Sequence, residues 1–215
     1  MSIWGNLAAR YEGKENQPHK ILSLDGGGIK GVLTLEVLVS IENLLRERIG
    51  NGSADFRLCH FFDYIGGTST GGIIAAGLAR GMSAEDLLKF YDEVGPKMFE
   101  KRWLFKRLKS FYKADPLKEK LKEIFGSETT LVPNDLQCLL LLVTRNRSTD
   151  SPWPISSNPQ AKYNDLERSD CNLKIPLWQL VRASTAAPVY FPPEVLGGES
   201  VAALQSLAFV HNNDE

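Results

Sequence analysis

Short, continuously apolar runs alternate along this chain with longer stretches whose apolar residues recur every three to four positions. The run Lys20-Ile21-Leu22-Ser23-Leu24 predicts a first core strand. Beyond it Val32, Leu35, Leu38, Val39, Ile41, Leu44 and Leu45 form a helical stripe reaching about Arg48, where Gly50-Asn51-Gly52 supplies C-cap chemistry. Residues 61–65 predict a second buried strand, and the Ala- and Ile-rich stretch after Gly72 predicts a buried helix. Ser83, with Asp86 three residues on, is placed to cap a helix through Tyr91. Asp115 and Pro116 fit the N-cap and first position of another helix, with Leu117, Leu121 and Ile124 on its apolar edge and Gly126 at its end. Residues 137–143, apolar almost throughout, predict a strand covered on both faces. Strands alternating with helices in this way predict an α/β fold with a mostly parallel central sheet flanked by helices.

Length and charge change this picture little. At 215 residues the chain suits one domain, taken here as 20–215, behind an N-terminal arm over 1–19. The net charge of -1 gives no whole-molecule attraction to a nucleic acid polymer or to anionic membrane. Cys59, Cys138 and Cys171 are scattered and lack metal-ligand spacing, so neither a zinc site nor a disulfide framework is expected. The polar start lacks an apolar signal segment, and no apolar stretch nears the ~20 residues that cross a bilayer. A cytoplasmic protein, peripheral wherever it meets membrane, is the expectation.

Candidate chemistry concentrates at two glycine-rich corners. Gly67-Thr68-Ser69-Thr70-Gly71 lies between the second strand and the buried helix and matches the G-x-S-x-G nucleophile elbow. Such a turn lifts a serine hydroxyl clear of the sheet and sets it at a helix N-terminus, where unpaired amides favour developing negative charge. Upstream, Asp25-Gly26-Gly27-Gly28-Ile29-Lys30-Gly31 admits two readings. Gly26, Gly28 and Gly31 satisfy the dinucleotide fingerprint G-x-G-x-x-G, but the acidic residue expected about 20 positions on would fall inside a helix. The same glycines let backbone amides approach a substrate oxygen as an oxyanion hole, and a nucleophile one strand later favours that reading.

These two corners, in this order, resemble the patatin-like phospholipase family. A third block agrees: Arg182-Ala183-Ser184-Thr185-Ala186-Ala187-Pro188 is similar to the family's segment before the last catalytic strand, placed here at 207–210. The resemblance covers about Lys20 to Phe209 and implies the three-layer patatin-like fold. It implies a serine lipid acyl hydrolase, a phospholipase A type enzyme without metal or cofactor, cleaving phospholipid or related acyl esters through an acyl-enzyme. Ser69 would be its nucleophile, and the amides of Gly26, Gly27, Gly28 and Thr70 its oxyanion hole. The family's usual glycine-loop arginine is Lys30 here. Bacterial relatives include antiphage-signalling effectors, which implies a cyclic nucleotide as a candidate activator.

The family's proton acceptor is an aspartate in an Asp-Gly-Gly or Asp-Gly-Ala motif after the final strand. Here 207–210 is followed by His211-Asn212-Asn213-Asp214-Glu215. Three readings stay open: a hydrolase truncated at its C-terminus, a stand-in base at His211 or Asp214, or an inactive module binding lipid or a partner. His19 and His60 lie away from Ser69 in the expected strand order, and Asp25 and Asp63 do not fit the role. Two stretches are left with alternatives. Over 99–113, Lys101, Arg102, Lys106, Arg107, Lys109 and Lys113 interleave with Phe99, Trp103, Phe105, Phe111 and Tyr112. That pattern suits a membrane-surface patch, a single-strand nucleic acid surface, or a solvated helix face over buried rings. Residues 144–173 read as a long polar loop, either a lid or partner surface or a plain surface excursion.

Overall fold

The computed structural model describes residues 4–13, 17–99, 116–146, 149, 151–185, 194–196 and 202–205. Three parallel strands form the centre: β1 (Ile21–Leu24), β2 (Tyr64–Thr68) and β3 (Leu139–Asn146), with Ile65 between Leu22 and Leu140 in register. Antiparallel strands extend them. β4 (Pro152–Ser156) pairs with β3, while β6 (Ala202–Gln205) pairs with the end of β3 and carries β5 (Glu194–Leu196) outside it. The helices are α1 (Gly5–Glu12), α2 (Gly31–Arg48), α3 (Leu58–Phe61), α4 (Thr70–Ala79), α5 (Ala84–Phe99), α6 (Pro116–Phe125) and α7 (Leu177–Ser184).

Composition explains the placement of α4. Every one of its residues is buried, which only a helix apolar on all sides tolerates, and its small residues let it lie close on β2 and β3. Around it, α2 packs on α5 and α6 on α7, enclosing a continuous core from Leu24 and Leu35 through Ile73 to Leu180. Glu42, almost wholly buried on α2, joins three helices. Its Oε2 accepts the amides of Leu58 at 3.3 Å and Ala84 at 3.4 Å, the first residues of α3 and α5, and its Oε1 pairs with Arg46 at 3.2 Å. Orphan helix-start donors and the positive ends of two helix dipoles thereby meet one carboxylate.

Most predicted elements form. Ser83 caps α5 as expected, its Oγ accepting the Asp86 amide at 3.0 Å, and α5 continues beyond Tyr91 to Phe99. Three differences have local causes. The elbow strand begins at Tyr64, because residues 58–61 coil into α3 and the His60 Nδ1 accepts the Arg57 amide at 3.1 Å. The predicted loop over 144–173 begins inside β3 and contains β4, whose Trp153 carbonyl accepts the Thr144 hydroxyl at 2.9 Å. The antiparallel strands, finally, were not among the predicted elements. The basic and aromatic stretch beyond Phe99, the strand placed at 207–210, His211 and Asp214 lie outside the described residues.

Candidate functional site

β2 ends at Thr68 and α4 begins at Thr70, which leaves Ser69 alone to turn the chain. It does so at φ 53° and ψ -124°, a left-handed conformation that side-chain-bearing residues avoid. The bend is locked from both sides. A Cβ on Gly67 would sit 2.2 Å from the Gly71 carbonyl oxygen, and one on Gly71 would sit 2.2 Å from the Leu24 carbonyl oxygen. The two glycines of G-x-S-x-G are therefore required by backbone contact: the first lets β2 approach α4, the second lets α4 approach the end of β1.

The glycine loop follows directly from β1 and reaches the same point. A Cβ on Gly26 would lie 2.8 Å from Ser69 Cβ and 3.5 Å from Ser69 Oγ, so any side chain at Gly26 would displace the serine. The Gly27 amide donates to Thr70 Oγ1 at 3.0 Å, tying the loop to the first residue of α4. This engagement modifies the expectation that all three glycine amides face substrate: Gly27 fixes the loop, and the Gly26, Gly28 and Thr70 amides are the candidates left. Gly28 takes φ 59° and opens a single turn of tight helix that feeds α2. The loop is solvent-exposed and Ser69 half-buried, an arrangement open to substrate from one side.

Two residues that sequence reasoning did not single out hold this geometry. Ser184, fully buried at the end of α7, accepts the Ser69 amide at 2.9 Å and donates to the Val143 carbonyl at 2.8 Å. It joins the elbow to the end of β3, and its signal lay in the third block, whose Arg-Ala-Ser run it completes. Tyr91 on α5 donates its hydroxyl to the Thr70 carbonyl at 2.8 Å, and burial pushes that phenol far above its ordinary range. Its ring also abuts Gly31, where a Cβ would lie 2.9 Å from Tyr91 Cε1.

Proton acceptors are elsewhere. Among the described residues no histidine or carboxylate hydrogen-bonds Ser69. His19 and His60 sit beyond the opposite end of β2, as expected, and Asp63 is occupied there by the Lys20 amide at 2.9 Å and by Arg10 at 3.9 Å. Among the described residues no cluster of His, Cys, Asp or Glu could hold a metal, and no helix is long and apolar enough to cross a membrane.

A serine alone in a left-handed turn between a parallel strand and a buried helix, faced by a glycine loop from the neighbouring strand, defines the α/β proteins built on a nucleophile elbow. The family model of the patatin-like phospholipases matches residues 22–209, and the chain belongs to that family, one of lipid acyl hydrolases. A cGAMP-activated phospholipase of Vibrio cholerae is 36% identical over 198 residues, covering 85% of this chain and 52% of the relative. One from Escherichia coli is 35% identical over 181 residues, covering 81% and 48%. Patatin-16 of Solanum tuberosum is 30% identical over 190 residues, covering 84% and 45%. The chain thus spans about half the length of the curated relatives it matches. Among solved structures, VipD from Legionella pneumophila shares the fold with a TM-score of 0.53 at 17% identity, over 88% of this chain and 46% of its own.

Proposed function

We propose that this chain carries a serine lipid acyl hydrolase site with Ser69 as its nucleophile. The contact between Gly26 and Ser69 carries the reading, because it sets the glycine loop directly beside an alcohol held at positive φ. In the proposed reaction Ser69 Oγ bonds to the carbonyl carbon of an acyl ester while its proton passes to a base. The Gly26, Gly28 and Thr70 amides receive the charge that develops on the carbonyl oxygen. The tetrahedral species expels the lipid alcohol, which takes the proton, and leaves an acyl group on Ser69. Water then attacks that ester and releases the fatty acid. The base is the family's aspartate, for which His211 and Asp214 are the stand-ins offered within 207–215.

A second reading has one observation in its favour: no Asp-Gly-Gly or Asp-Gly-Ala occurs between Phe209 and Glu215. On it, the chain is an inactive patatin-like module that binds lipid or a partner. A fluorophosphonate probe separates the two. Labelling of the chain that disappears in Ser69→Ala establishes an activated serine; an unlabelled chain beside a labelled patatin control leaves the inactive module. By likeness to the two bacterial relatives, the activity is further proposed to rise with a cyclic nucleotide at a membrane surface. Fatty acid release from phosphatidylglycerol vesicles, measured with and without cGAMP, tests that step.

A further inference from the structure

The outward face of α2 is apolar, although it is turned to solvent. At 100° per residue, Gly31, Leu35, Leu38 and Glu42 share the side buried in the core. Nearly opposite them, Leu33, Val37, Ser40 and Leu44 fall within an arc of about 60°. Leu33 is 70% exposed, Val37 53% and Leu44 47%, and Ile29, 53% exposed, stands in the tight turn that feeds the helix. Ser40 donates to the Glu36 carbonyl of its own helix at 3.1 Å. No Asp, Glu, Lys or Arg enters this arc between Leu33 and Leu44. A helix that had only to cover the core would be polar here. We infer that this face docks the protein on a lipid surface, with Ile29, Leu33 and Val37 entering between the headgroups and α2 lying in the plane of the interface. Resting on the proposed lipid hydrolase site, this docking brings Ser69 to its substrate.

Position, area and charge favour lipid over another occupant. The stripe begins at Ile29, directly after Gly28, and in the same loop a Cβ on Gly26 would lie 2.8 Å from Ser69 Cβ. An interfacial helix sinks its apolar face about 5–10 Å into the boundary between headgroups and acyl chains. The same immersion carries the glycine loop to the depth of the ester carbonyls. Four side chains exposed to this degree present a few hundred Å² of apolar surface, short of the ~800 Å² that each partner of a stable protein interface buries. They also form a convex ridge, which fluid lipid accommodates without a matching groove. Of the exposed charges beside the stripe, Lys30 and Arg48 balance Glu36 and Glu47. Apolar insertion therefore drives the docking, and anionic headgroups are not required for it.

The test uses the full chain as Ser69→Ala, so that no lipid is consumed, in flotation with phosphatidylcholine vesicles. Expected is binding that persists in about 0.5 M salt, where surface charge is screened. Leu33→Gln with Val37→Gln, which keeps good helix formers on an exposed face, should weaken binding about tenfold or more at an unchanged melting temperature. Ser40→Leu completes the stripe and should strengthen binding about threefold or more, a gain that misfolding cannot produce. Overturning results are vesicle binding untouched by these changes, binding lost on phosphatidylcholine or in high salt, or a dimer in sedimentation velocity that the glutamine pair dissolves. If Ser69 resists the fluorophosphonate while vesicle binding follows the α2 variants, the hydrolase reading falls and the docking face stands. If Ser69 is labelled while the α2 variants bind vesicles as the parent does, the docking face alone falls.

Discussion

Ser69 stores strain that a glycine would not. At φ 53° and ψ -124° its Cβ crowds the flanking peptide groups, at a cost on the order of 1–3 kcal/mol, whereas glycine occupies the same conformation freely. Ser69→Gly is therefore expected to stabilise the fold by about 1 kcal/mol while abolishing fluorophosphonate labelling. Thermal melting of the variant beside Ser69→Ala checks this: the glycine variant should melt several degrees higher than the alanine variant, which keeps the strain. A lower melting point for the glycine variant would mean that the serine conformation is not strained. The neighbouring glycines behave oppositely. The Gly67 and Gly71 positions meet backbone atoms that cannot move aside, so no side chain is accommodated at either. That requirement is what makes G-x-S-x-G recognisable as letters: the motif records two steric exclusions around one strained residue.

At the scale of elements, the turn is an assembly of three segments rather than a property of its own sequence. β1 delivers the glycine loop, β2 and α4 make the bend, and α7 contributes Ser184, 115 positions along the chain, to hold the Ser69 amide. Ser184→Ala removes an acceptor from that amide and a donor from the Val143 carbonyl in a fully buried setting. A loss of about 1–3 kcal/mol is expected, together with slower labelling of Ser69 as the elbow loosens. Urea denaturation and labelling rate measure the two effects, and Ser184→Thr, which keeps the hydroxyl, should recover most of the labelling. This division also marks what the sequence made legible. Local signals sufficed where one segment decides its own structure: the apolar stripe of α2, the Ser83 cap of α5, and the glycines of the elbow. They failed where a partner decides. β4 carries two prolines in five residues and reads as loop, yet it pairs along β3, with Pro152 opposite Arg145 at one end. Phe61 and Phe62 read as strand because they are apolar beside β2, but the hydrogen bond between Arg57 and His60 starts a helical turn that runs through Phe61. The third block marks Ser184 as part of a motif, but nothing near Ser69 in the chain announces that its acceptor lies 115 positions along.

Across the whole molecule, the core that supports the elbow can be followed through its cysteines. Cys59 on α3, Cys138 just before β3, and Cys171 near the turn that precedes α7 are all buried and unpaired, and they sample different parts of one continuous apolar cluster. Burial raises the Cys59 thiol to about 11, with Arg10 pulling weakly the other way, and raises Cys138 further. A thiol reacts as its thiolate, so at pH 8 both are protonated as well as shielded. None of the three should react with Ellman's reagent within minutes in the native protein, and all three should react at once in guanidinium. Raising the pH from 8 to 9 increases the thiolate of an ordinary cysteine about threefold, but reaction limited by opening of the core would hardly change, because exposed thiols then react faster than the core recloses. If instead Cys59 alone reacts rapidly at native pH, α3 opens independently of the sheet. The strand that leads to Ser69 would then begin at a loose hinge, and the rigidity attributed to the elbow would belong to α4 and β3 alone.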